Sequence, residues 1–107
     1  MSAKIDQNAH VFTLINVFDV APDDQDELAE LLVDVTESTM KHIPGFVSAS
    51  IHVSDDGERV VNYAQWETRE DFERMLDNED AKPHMRRAAD LATSYDPITC
   101  RVVDSVD

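Results

Sequence analysis

A ferredoxin-like α+β fold of βαββαβ order is predicted by three features of this 107-residue sequence. Four stretches rich in β-branched and aromatic residues are separated by apolar residues at helical spacing, in the split order β-α-β-β-α-β. The Asp55-Asp56-Gly57 triplet is a strong hairpin signal between the two central stretches. No linker, repeat or biased segment divides the chain. A single domain over residues 1–107 is expected, with its core over about 10–104.

Each element has a local reason. From His10 to Val20, HVFTLINVFDV reads as a strand. Pro22-Asp23-Asp24 supplies turn and helix-start chemistry, its acids suiting the positive end of a helix. Leu28, Leu31, Leu32 and Val35 recur at helical spacing and predict an amphipathic helix to about Lys41, stopped by Pro44-Gly45. Phe46 to Ser54 and Glu58 to Glu67 are the two hairpin strands. Thr68 is an N-cap with Asp71 three residues on, a capping box with the shorter acid. Phe72, Met75 and Leu76 then form one apolar helix face. A second helical stretch runs from Pro83 to Thr93, with Met85, Ala88, Ala89 and Ala92 inward. Pro97 opens the last strand, ITCRVVD.

Helices cover only one face of such a sheet, yet the first strand is apolar on both. Val11, Ile15 and Val17 point one way while Phe12, Leu14 and Phe18 point the other. Exposed apolar sheet faces mark interfaces, so a homodimer with sheets packed face to face is expected.

Composition removes several function classes. Nine Lys and Arg against 23 Asp and Glu give a net charge of -14, which repels phosphate and argues against nucleic acid as a partner. With 42% hydrophobic residues, two Gly and four Pro, the chain is not of disordered type. No apolar run nears the roughly 20 residues of a membrane span. MSAKIDQNAH has no signal-peptide core, so a soluble, cytoplasmic protein without a membrane partner is expected. The single Cys100 excludes an intrachain disulfide and reads as a small buried side chain. No HxH, HExxH, GxGxxG, P-loop or GxSxG motif is present, and no metal site is expected.

The informative residues are polar groups in apolar company. Asn16 shares a strand face with Phe12, Leu14 and Phe18, and Asn62 shares one with Ala64 and Trp66. A buried amide costs a few kcal/mol unless it finds partners. The face of His52 depends on the hairpin. A three-residue loop puts it beside Asn62, and a two-residue loop puts it beside Tyr63. His42 and His84 lie on helical segments and read as solvated. Of Arg86 and Arg87, only one can face inward, where it would stabilise an anion; a surface ion pair is the commoner fate.

The strings PGFVSASIH and DGERVVNYAQWETREDF resemble the antibiotic biosynthesis monooxygenase (ABM) family, over about Thr13 to Ala92 and closest to its actinorhodin-pathway anthrone branch. The resemblance implies a dimeric α+β barrel and oxygenation of an aromatic polyketide without metal, flavin or haem cofactor. It implies catalytic roles for Asn62, Trp66, Arg86 and His52, with His52 the general base by residue type. It implies substrate contacts for Asn16, Phe72, Tyr63 and Met75. Phe72 stands where a tyrosine hydroxyl occurs in that branch. The implied chemistry takes an anthrone-like phenol or quinol to a quinone with O₂, the substrate acting as its own reductant. Two alternatives stand beside it. Haem-degrading monooxygenases share the fold, and Asn16 and His84 fall near two of their haem-site positions, although Met75 replaces their helical Trp. The other is a non-catalytic dimeric small-molecule-binding or accessory protein.

Overall fold

The structure, a computed structural model, describes residues 4–6 and 10–107. The stretch read for a leader, residues 1–10, lies partly outside them. Four antiparallel strands form one sheet in the order β2-β3-β1-β4: β1 (Phe12–Asp19), β2 (Phe46–Val53), β3 (Arg59–Trp66) and β4 (Ser94–Cys100). Helix α1 (Gln25–Ser38) connects β1 to β2, while α2 (Arg69–Leu76) and α3 (Lys82–Leu91) connect β3 to β4. This is the expected ferredoxin-like arrangement, with the second crossover divided into two helices. Asn78 divides it: its Oδ1 accepts from the backbone N–H of Asp80 and Ala81 at 2.9 and 3.0 Å. No helix among the described residues is long and apolar enough to cross a membrane.

The central ladder joins β1 to β3 and runs from Phe12 opposite Trp66 to Asp19 opposite Arg59. Side chains alternate across a strand, so this register sorts the residues into two faces. The helix-facing side carries Phe12, Leu14, Asn16 and Phe18 against Trp66, Ala64, Asn62 and Val60. Two apolar clusters form there. One gathers Phe18, Val20, Leu28, Leu32, Val60 and Ala88 beneath α1 and α3. The other gathers Leu14, Ala64, Trp66, Phe72 and Met75 beneath α2. Between them lies the Asn16–Asn62 pair, the one polar row in the face.

Two element boundaries differ from expectation. Helix α1 ends at Ser38, and Met40–His42 form a separate 3-10 turn. Thr36 donates its hydroxyl to the Leu32 carbonyl at 2.7 Å, a side-chain bond to the preceding turn that weakens a helix near its end. Strand β4 begins at Ser94, ahead of Pro97, and stops at Cys100. It is an edge strand, where a residue without an N–H is tolerated. Cys100 is correspondingly half-buried rather than fully enclosed.

The hairpin closes with Ser54 opposite Arg59, the Ser54 N–H donating to the Arg59 carbonyl at 3.0 Å. Its loop is therefore Asp55–Glu58, four residues long, with the side-chain parity of a two-residue loop. Gly57 turns at φ +80°, and Asp56 Oδ1 accepts from the Ser54 hydroxyl at 2.6 Å and the Glu58 N–H at 2.9 Å. The Ser54 hydrogen bond, aided by that of Glu58, holds the Asp56 carboxyl below its usual range.

The turn into β2 is held by α2. Thr68 caps the helix as expected, accepting from the Asp71 N–H at 3.1 Å, while the Asp71 carboxylate takes the Thr68 hydroxyl at 2.9 Å rather than the backbone N–H of a full capping box. Asp71 also pairs with Arg74, and its carboxyl packs directly on Gly45, which sits at φ +91°. A Cβ at residue 45 would run into that carboxyl. Gly45→Ala is therefore expected to lower stability by roughly 2–3 kcal/mol, from backbone strain plus displacement of Asp71. Thermal melts of the two proteins check this, and an unchanged Tm would refute the packing argument.

Candidate active site

A cavity of about 400 Å³ lies between the helix-facing side of the sheet and the three helices. Asn16 and Asn62 stand in its wall, directly opposite each other across the β1–β3 ladder. Ordinary ladder geometry sets facing Cβ atoms about 5 Å apart, close enough for both amides to meet one ligand group. Their Oδ1 atoms are buried and find no hydrogen-bond partner among the described residues. Each amide carries two N–H donors as well as that acceptor, and a half-turn exchanges them. A mostly apolar chamber thus contains a paired polar device.

The helices supply the apolar wall. Leu32 and Val35 come from α1, Phe72 and Met75 from α2, and Met85 and Ala88 from α3. Phe72 stacks obliquely on Phe12, ring centroids 5.3 Å apart, which fixes the aromatic wall below the strand. Having no hydroxyl, Phe72 shapes the chamber and exchanges no proton. Strand β4 closes the remaining side with Tyr95, Pro97 and Thr99, the alternate residues opposite Phe18, Asn16 and Leu14.

The expected site residues divide by this geometry. Asn16, Asn62, Phe72 and Met75 come together on the cavity wall. Trp66 lies on the same sheet face but behind the wall. It is 2% exposed, packs edge-to-face on Phe46 at 5.5 Å, and shares a cluster with Phe72 and Met75. Leu14, Phe72 and Met75 of that cluster line the chamber, and Trp66 does not.

Three expectations are corrected. His52 pairs opposite Val61, so the four-residue loop turns it to the face away from the helices, where it is exposed. Tyr63, opposite Ile15, lies on that same outer face, its hydroxyl buried without a partner among the described residues. Arg86 projects from α3 into solvent, because the inward stripe of that helix is His84, Met85, Ala88 and Ala89. None of the three lines the cavity.

His84, read as solvated or as a haem-site position in the alternative, and the β4 residues were not among the expected site residues. His84 precedes Ala88 by one helical repeat and adjoins Met85, so the periodicity that selected those residues also selects it. Tyr95 lies ahead of the proline at which the last strand was expected to open, and Thr99, inside that expected strand, is placed in the wall by its register opposite Leu14. Among the described residues no group of three or more His, Cys, Asp or Glu gathers as a metal site would require.

The family described as antibiotic biosynthesis monooxygenase matches residues 11–90. Tetracenomycin-F1 monooxygenase of Streptomyces glaucescens is 47% identical over 103 residues, spanning 96% of this chain and 91% of that protein. Among solved structures, a monooxygenase from the gene ActVA-Orf6 of Streptomyces coelicolor, in complex with nanaomycin D, superposes with a TM-score of 0.82. It is 27% identical, and 97% of each chain is covered. SnoaB, a cofactor-independent oxygenase of Streptomyces nogalater, shares the fold at a TM-score of 0.75 and 22% identity, over 91% of this chain and 97% of that one. With most of its length matched by the family and nearly half its residues shared with a named monooxygenase, this chain belongs to the antibiotic biosynthesis monooxygenase family and is itself a monooxygenase.

Proposed function

We propose that the protein is a cofactor-independent oxygenase that converts an anthrone-like aromatic polyketide, or a related phenol or quinol, to a quinone with O₂. The observation that carries this is the Asn16–Asn62 pair, two amides whose buried oxygens find no partner among the described residues, in the wall of a mostly apolar cavity. An anthrone has an acidic C–H beside a carbonyl, and deprotonation makes an electron-rich enolate. That enolate can reduce O₂ itself, so the protein has only to bind, deprotonate and orient it. The relatives support the substrate class: one acts on tetracenomycin F1, and another was crystallised with nanaomycin D.

The amide N–H groups are the donors for the developing oxyanion. Preorganised donors in a water-poor pocket are worth far more than in water, and each can contribute about 10²–10³ in rate. The cavity volume lies in the range of pockets that enclose drug-sized aromatic ligands. Trp66 acts as a positioning residue, holding Phe72 and Met75 against the substrate.

We propose further that the outer sheet face, with half-buried Ile15 and Val17 and exposed Ile98, is where two copies of the chain pack. Light scattering is expected to give twice the 12.1 kDa chain mass, and Ile98→Asp to shift it toward the monomer. A monomeric wild-type protein would remove this assembly.

Purified protein freed of metal by chelation is expected to consume O₂ with dithranol or emodin anthrone above the no-enzyme rate and to release the quinone. Absence of uptake with every anthrone, joined by a Soret shift on adding haem, would favour the haem-degrading alternative. Asn62→Ala is expected to lower kcat by about 10²-fold, and Asn16→Ala by a comparable factor. His52→Gln, on the outer face, should leave kcat unchanged. Trp66→Phe should reduce kcat several-fold with the fold intact by circular dichroism; full activity would reduce Trp66 to core packing.

A further inference from the structure

His84 stands where two spaces of different chemistry meet. A polar groove of about 520 Å³ lies beside the cavity, lined by Ser38, Thr39, His42, Asn78 and Asp80 among others. Among the described residues, His84 is the one that lines both groove and cavity. Its placement follows from α3, which begins with Pro83 in its first turn and turns residues 84, 85, 88 and 89 toward the sheet. The imidazole is half-buried, with the apolar chamber on one side and the groove on the other.

We propose that His84 is the base that takes the proton from the substrate and passes it to the groove. This rests on the oxygenase reading above and supplies what that reading lacks. Amide, thioether, phenyl and aliphatic groups make up the rest of the cavity wall, apart from the hydroxyls of Thr36, Tyr95 and Thr99. None of these accepts a proton readily near neutral pH. Imidazole does, and histidine is the side chain whose ordinary charge change falls in that range. It also has two ring nitrogens, so one can accept from the cavity while the other donates to the groove.

In this step the substrate C–H (or phenolic O–H) bond breaks and an N–H bond forms on the cavity-side nitrogen of His84. The electron pair stays on the substrate as an enolate, whose oxygen the Asn16 and Asn62 amides can meet. The imidazolium gives up its other proton through the groove and returns to the neutral form. The only oxidant is O₂, the co-substrate. Overall a methylene and O₂ become a carbonyl and water, two C–H bonds being lost and one oxygen atom going to each product.

The titratable groups that share these two spaces with His84 are His42 and Asp80 in the groove and Tyr95 in the cavity. Lys82, earlier on the same helix, is paired with Glu79 at 3.4 Å. His42, the other histidine of the groove, does not line the cavity and serves as the comparison variant.

The test separates the proton step from the oxygen step. Dithranol is added to protein under anaerobic conditions and the enolate absorbance is followed against pH. Wild type is expected to ionise bound dithranol at a pH below that needed by free dithranol. His84→Gln and His84→Asn should lose that ionisation, while His42→Gln keeps it. In air, both His84 variants should show kcat reduced by about 10²-fold or more, KM within about threefold, and partial recovery on adding imidazole. Circular dichroism verifies that each variant is folded. Ionisation by either folded His84 variant equal to wild type, or wild-type turnover in air without anaerobic ionisation, overturns the assignment. Ionisation that is lost with His84, in a protein that takes up no O₂, upholds His84 as the base and sinks the oxygenase reading alone.

Discussion

The β1–β3 register is the constraint from which the rest of the molecule follows. Pairing Asn16 with Asn62 puts Leu14 on Ala64 and Phe18 on Val60, and so assigns every side chain of the two central strands to a face. A slip of one residue would exchange the faces and strand both apolar clusters in solvent. The clusters on either side of the amide row therefore do more than stabilise the fold. By holding the register they hold two amides opposite each other in the chamber wall, at a distance no loop could maintain as well.

The site is a gap in otherwise dense packing. Buried polar atoms are nearly always paired, and two oxygens in one wall without a partner among the described residues are a local cost that the adjoining clusters offset. The helices contribute shape: Phe72 and Met75 from α2, Leu32 and Val35 from α1, and Met85 and Ala88 from α3 leave a space that is apolar except at the amides, a few hydroxyls and the His84 imidazole. The second crossover is divided at Asn78, which lets α2 and α3 meet the chamber at separate places. It also sets His84 beside the loop that carries Asp80.

Most of the fold was legible because its signals are local. Strand composition, the Leu28-Leu31-Leu32-Val35 stripe, the Thr68–Asp71 cap and the hairpin triplet each specify an element without reference to the others. Asn16 and Asn62 were legible for a related reason: an amide in an apolar alternation is visible in one dimension. What was not legible depended on counting across a turn or around a helix. His52 changes face with a single residue of loop length, and the four-residue loop realised here has the parity of the shorter alternative. Arg86 lies just off the inward stripe of α3, whose phase is set by packing against the sheet. Tyr63 followed its motif neighbours into the expected site, but strand alternation turns it away from Asn62.

Pro97 carries a consequence of another kind. It sits in the middle of β4, an edge of the sheet, opposite Asn16. An open edge is a template on which further strands can add, the route by which sheet proteins grow into fibrils. A proline there offers no N–H to an incoming strand, and Asp96 beside it adds a charge that a close-packed neighbour would have to desolvate. The same residue that helps wall the chamber on its inner side therefore guards the sheet against uncontrolled polymerisation on its outer one.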